Sequence, residues 1–188
     1  MTISINEIQN GMALIVDGNI YTVVEYNHVK PGKGSAFVRV RIKNVKTDAV
    51  LERTFRSAES LEDVPLEERE LEFLYSSGEE YCFMDHDNYE EVSISQSILG
   101  NGTNFLLENL TVTGLYHNDK LIKVILPNFI VAQVIESEPG VRGDSTKSGN
   151  KPAKIQTGAS IQVPLFINVE DWIKIDTRNG QYVERVQK

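Results

Sequence analysis

Alternation of apolar and polar residues with a period of two, interrupted at short intervals by turn signals, limits what this chain can fold into more than any other feature. The runs "NIYTVVEYNHV", "AFVRVRIKNV", "EYCFMD", "EEVSIS", "NLTVTGLYH", "KLIKVILP", "FIVAQVIES", "ASIQVPLFI" and "DWIKIDT" are rich in Val, Ile, Thr and aromatic residues. Between them stand Asp17-Gly18, Ser77-Gly78, His117-Asn118-Asp119 and Asn179-Gly180, residues that tolerate the backbone of a tight turn. Helical pattern is scarce, with short pieces expected around 57–61 and 104–107. Many short strands at this spacing predict an all-β fold of small barrels rather than one parallel sheet.

Two boundaries divide the 188 residues. In "SAESLEDVPLEE" the charge changes sign near Asp63 and Pro65 interrupts the pattern, and "LPNF" around Pro127 marks a second break. The expected domains are 1–63, 64–127 and 128–188. Barrels of about 60 residues bury little surface and need mutual support or a partner. The stretch "EPGVRGDSTKSGNKPAK", Glu138 to Lys154, reads as one long loop in the last domain. Loops of that length are either functional or merely unconstrained.

The formal net charge of -8 argues by itself against a polyanionic partner, but its distribution reverses that argument. Met1 to Ala58 carries eight Lys/Arg against five carboxylates, a net of +3, which leaves -11 for the remainder. Glu59 to Glu91 alone holds thirteen Asp/Glu against one Arg69. Either run also suits a solvated surface; the asymmetry marks the N-terminal part as the end that faces phosphate. No apolar run is long enough to span a membrane, and "MTISINEIQNGM" lacks the basic and apolar regions of a signal peptide. A cytoplasmic location is expected, consistent with Cys82 as the single cysteine.

Six basic residues and no carboxylate lie between Tyr26 and Lys46 in "YNHVKPGKGSAFVRVRIKNVK". Alternation in "FVRVRIK" puts Val38, Val40 and Ile42 on one face of a strand and Arg39, Arg41 and Lys43 on the other. The rungs of this cationic ladder are about 6.6 to 6.8 Å apart, close to the spacing of successive phosphates along an RNA strand. The same pattern also protects an exposed strand against edge pairing. Upstream, Pro31-Gly32 favours a tight turn and Gly34 a left-handed backbone, so "KPGKG" lifts Lys33 at a hairpin tip. "GKGS" is no phosphate-cradling P-loop, since a strand rather than a helix follows it.

Nothing marks an active site. Cys82, Asp85, His86 and Asp87 can be drawn as a metal cluster, but no second His/Cys set completes a tetrahedron, and a strand ending in an Asp/Asn turn accounts for them better. Nucleophile-elbow, zinc-protease and dinucleotide-binding motifs are absent, and no cofactor or metal is expected.

At "KPGKGSAFVRVRIKN" the sequence closely resembles the bacterial elongation factor P family. The likeness continues through "EYCFMDHDNYEE" and is almost unbroken over "PGVRGDSTKSGNKPAKIQTGASIQVPLFI" and "IKIDTRNGQYVERV". Two departures stand out: Ser145 where the family usually has Thr, and Glu170 where Gly is common.

The resemblance implies an L-shaped monomer, an SH3-like (KOW-like) barrel followed by two OB-fold barrels. Family members bind the 70S ribosome, and with it ribosomal RNA, between the peptidyl-tRNA and exit sites, and relieve stalling at consecutive prolines. By the same resemblance Lys33 is the tip residue directed at the CCA end, flanked by Pro31, Gly32 and Gly34, and extended by a lysine-modifying enzyme. The tip fits addition of β-lysine or aminopentanol and excludes the arginine-tipped, rhamnosylated branch. Lys30, Arg39, Arg41 and Lys43 match positions near the acceptor arm, and Gly143, Asp144 and Ser145 the loop directed at the exit-site codon on the small subunit.

Three competing readings remain at this level. A single-stranded RNA-binding OB module not dedicated to the ribosome is disfavoured because the basic residues fall in the first domain. An enzyme with Lys33 as Schiff-base nucleophile lacks the burial that lowers a lysine pKa. A specialised paralogue within the family differs only in which stalls it relieves.

Overall fold

The computed structural model of the chain describes residues 2–29, 36–56, 59–138 and 149–187. The fold is all-β: the described residues form sixteen strands in three sheets, with one α-helical turn and two 3-10 segments.

The first sheet contains β1 (Thr2–Ser4), β2 (Ala13–Val16), β3 (Asn19–Val29), β4 (Phe37–Asn44), β5 (Val50–Arg56) and β6 (Ser60–Asp63), in the order β1-β6-β2-β3-β4-β5. Asp17 and Gly18, both at positive φ, close the β2–β3 hairpin between the paired Val16 and Asn19, the two-residue turn whose twist matches that of the strands. Val38, Val40 and Ile42 of β4 are fully buried and pack with Leu14, Val23, Phe55 and Leu61. Each such burial is worth about 1.5–3 kcal/mol relative to exposure, which fixes which face of β4 turns inward.

The second sheet contains β7 (Glu67–Ser77), β8 (Glu80–Asp85), β9 (Glu91–Ser95), β10 (Thr111–His117) and β11 (Lys120–Ile125), in the order β11-β10-β7-β8-β9. Leu71, Phe73, Phe83, Ile94 and Val112 are buried, with the Phe73 and Phe83 rings 5.3 Å apart. Helix α1 (Gln96–Leu99) and a 3-10 turn (Gly100–Phe105) follow β9.

The third sheet contains β12 (Phe129–Ser137), β13 (Asn150–Ile155), β14 (Ser160–Pro164), β15 (Trp172–Asp176) and β16 (Gln181–Val186), in the order β14-β13-β12-β15-β16. Ile130, Ala132, Val134, Ile155, Val163, Ile173 and Ile175 form its core, and Phe105 from the 3-10 turn joins them. By compactness the chain divides into two units, Met1–Glu68 with Gly114–Lys123 and Arg69–Thr113 with Val124–Lys188.

Each sheet is curled, and each carries a register shift that explains why. The β3–β4 register slips between Val23 and Glu25, β7–β8 between Phe73 and Tyr75, β12–β13 between Val134 and Glu136, and β15–β16 between Lys174 and Ile175. An extra residue on one strand increases the local twist and bends the ladder. It also reverses inward and outward beyond itself, which is why Val24 and Ile135 are exposed despite their chemistry.

Three expectations from the sequence are corrected. Of the piece expected to be helical at 57–61, residues 57 and 58 lie outside the described residues, and Ser60 and Leu61 belong to strand β6, where Leu61 pairs with Ile3 and is buried in the core. The piece expected at 104–107 begins earlier, at Gln96, and is already extended at Leu106. Within the expected loop Glu138 to Lys154, the segment from Asn150 onward is strand β13. Pro152 and a buried lysine hid it. Pro152 pairs with Gln162 of β14, short of the stretch where β13 also pairs with β12, so its missing N–H costs no bond on that side.

Candidate nucleic-acid interface

β4 carries the cationic ladder where alternation put it: Arg39, Arg41 and Lys43 are exposed opposite buried Val38, Val40 and Ile42. The structure adds their partners. Arg41 stands opposite Glu25 of β3 and Glu52 of β5. Its Nη1 donates to Glu25 Oε2 at 3.3 Å, while Arg39 Nε reaches Glu52 Oε1 at 3.3 Å. Lys43 Nζ lies 2.7 Å from Asp48 Oδ1, and Lys123 donates to the other oxygen of the same carboxylate. Partial burial by itself raises the Asp48 carboxyl, but hydrogen bonds from Lys123 and Lys43 hold it below its ordinary value.

The rung side chains are 56, 54 and 45% exposed, so water screens these pairs. Pairs of this kind contribute about 0–1 kcal/mol each, little enough for a competing anion to displace. Toward the end of the strand nearer residue 36, Phe37, Arg39, Thr54 and Arg56 line an open concavity. An aromatic ring beside two guanidinium groups and a hydroxyl can stack a base and bind phosphate oxygens.

Sequence reasoning found the ladder and missed the carboxylates. Glu52 needed the register of the β4–β5 hairpin. Glu25 needed more, because Val23 faces inward and parity alone would turn Glu25 inward too. The extra residue Val24 reverses it and sets Glu25 opposite Arg41.

Of the other residues singled out, Lys30, Pro31, Gly32, Lys33 and Gly34 lie outside the described residues, as do Gly143, Asp144 and Ser145. Next to the latter segment, buried Lys151 donates from Nζ to the Glu138 carbonyl at 2.8 Å. This bond ties the end of β12 to the start of β13.

Cys82, Asp85, His86 and Asp87 do not converge. Asp85 Oδ1 accepts the Asp87 N–H at 2.8 Å, and the Asp85 carbonyl accepts the Tyr89 N–H at 2.8 Å, which builds the turn after β8. Cys82 Sγ faces Glu91, 3.6 Å from its Oε2. The His86 ring lies between Glu72 (Nε2 to Oε2, 3.0 Å) and Glu70 (Nδ1 to Oε2, 3.6 Å). The hydrogen bond to Glu72, aided by Glu70 and opposed by slight burial, raises its pKa above the usual 6.5. Among the described residues no group of three or more His, Cys, Asp or Glu is placed to hold a metal ion, and no helix is long and apolar enough to cross a membrane.

Comparison with known proteins covers nearly the whole chain. Residues 4–61 match the family model "Elongation factor P (EF-P) KOW-like domain", residues 66–124 the "Elongation factor P (EF-P) OB domain", and residues 130–185 "Elongation factor P, C-terminal". The all-β fold and these matches define a translation factor in which a KOW-like domain precedes an OB domain, not an enzyme. The elongation factor P of Natranaerobius thermophilus is 46% identical over 185 residues, covering 98% of each chain. That of Caldanaerobacter subterraneus is 48% identical over 184 residues, covering 98% of this chain and all of the relative. The chain belongs to the elongation factor P family and is a translation elongation factor.

Among solved structures, "Eukaryotic translation initiation factor 5A from Methanococcus jannaschii" aligns with a TM-score of 0.51 at 22% identity, over 66% of this chain and 94% of that one. A factor of the eif-5a family from Naegleria fowleri aligns at 0.53 with 12% identity, over 67% of this chain and 98% of that one. At those identities the likeness is one of fold.

Proposed function

We propose that the protein binds the ribosome between the peptidyl-tRNA and exit sites and stimulates peptide-bond formation at consecutive prolines. The observation that carries this reading is the exposed ladder of Arg39, Arg41 and Lys43 on β4, in a chain of this family. In it the ladder, with Lys30, contacts phosphates of the peptidyl-tRNA acceptor arm, contacts that fix position and carry little sequence information. Lys33, at the tip formed by Pro31, Gly32 and Gly34, reaches the CCA end, lengthened by a lysine-modifying enzyme. Gly143, Asp144 and Ser145 approach the exit-site codon. The protein acts as a cytoplasmic monomer with three domains, 1–63, 64–127 and 128–188.

No catalytic group is needed. Proline reacts poorly because its ring fixes φ and constrains both nucleophile and nascent chain. Holding the CCA end in a productive geometry lowers the entropic part of the barrier, and tenfold needs only about 1.4 kcal/mol. The deciding experiment is translation of a message encoding three consecutive prolines in a purified system lacking the factor. Protein from its native source is expected to release the stall and Lys33→Ala to fail. Failure of both, with tight binding to short RNA, would favour the single-stranded RNA-binding reading. Native protein whose intact mass equals that of the unmodified chain would remove the modification from the mechanism.

A further inference from the structure

Each of the three rungs of the ladder meets a carboxylate: Arg39 with Glu52, Arg41 with Glu25, and Lys43 with Asp48, which Lys123 shares. Arg41 lies between two of them, one on each neighbouring strand. Chance alternation does not account for this arrangement, because Glu25 reaches the ladder face only through the register shift at Val24. The rungs, which stand in a stretch of the sequence without a carboxylate, are therefore each paired with one in the folded protein.

We propose that Glu25 and Glu52 are specificity residues, intramolecular anions that mask the ladder until a rigid row of phosphates displaces them. This rests on the reading of the ladder as a tRNA contact. Every phosphate that binds a rung must displace a carboxylate already there. A flexible single strand must also lose conformational freedom for each phosphate it places, so it competes poorly. The backbone of a folded RNA has lost most of that freedom already and can engage rungs about 6.6 to 6.8 Å apart together. The mask thus disfavours flexible RNA more than structured RNA.

The test compares wild-type protein with Glu25→Gln/Glu52→Gln, measuring binding to dodecauridylate and to deacylated tRNA across a salt series. Glu79→Gln/Glu80→Gln, which removes the same charge at the start of β8, serves as control. Unmasking is expected to tighten dodecauridylate binding about threefold or more at low salt and to narrow the preference for tRNA, since two exposed pairs are released. The salt dependence for the single strand should steepen by up to roughly 0.7 per freed rung. Unchanged affinity, or an equal gain in the control pair, would overturn the mask. An Arg39→Ala/Arg41→Ala variant measured on ribosomes separates the two claims. If it binds as wild type, the reading of the ladder falls and the mask with it. If it binds weakly while the glutamine pair changes nothing on either RNA, the mask alone falls.

Discussion

Glu170 has φ of +75°, a conformation that favours glycine. Its N–H donates to the Val134 carbonyl at 2.9 Å and its own carbonyl accepts from Gln133 Nε2 at 3.4 Å, backbone roles that a glycine keeps. Left-handed backbone costs an L side chain about 1–2 kcal/mol, partly offset by the greater entropy glycine loses on folding. Glu170→Gly is therefore expected to stabilise the protein by about 0.5–1 kcal/mol, read as a higher thermal midpoint. His86 supplies a second expectation. Its proton is held by Glu72 and Glu70, so its NMR titration midpoint should lie above the usual 6.5, and Glu72→Gln should lower it. Because the folded value is raised, the stability this pairing adds is fully present below the unfolded pKa. It is lost as pH rises through the folded midpoint.

Strand β4 performs two tasks on its two faces, and substitution should separate them. Ile42→Ala removes a fully buried side chain and is expected to cost about 2–5 kcal/mol in denaturant unfolding. Arg41→Ala, one position away, breaks only a screened pair, so stability should change by less than about 1 kcal/mol. Ribosome binding should respond in the opposite sense, with its salt dependence flattened when Arg39 and Arg41 are both replaced. The faces of β4 were legible from the sequence because burial enforces a period of two along a regular strand. Strand β13 was not, since its inward positions Lys151, Ala153 and Ile155 include a lysine whose amine reaches a backbone carbonyl. A cation satisfied in that way leaves no hydrophobic signature.

Across the whole molecule, the third sheet depends on residues that precede it in the chain. Phe105 belongs to its core, with Leu107, Leu110 and Leu126 packed against it, and Thr157 Oγ1 donates to the Asn104 carbonyl at 2.7 Å. Phe105→Ala should cost about 3–5 kcal/mol, although Phe105 lies outside the proposed 128–188 domain. A fragment of residues 128–188 should show a broader, lower unfolding transition by circular dichroism than a fragment beginning at residue 69. The sequence by itself determined the all-β class, most strand positions, the hairpin turns and the parity of the ladder, because these follow from local backbone preference and a two-residue period. Only the tertiary structure decided the register shifts, the carboxylates facing each cation and the insertion of Phe105 into a later sheet. Each of these depends on which distant backbone lies alongside, and a period along one strand carries no information about its neighbour.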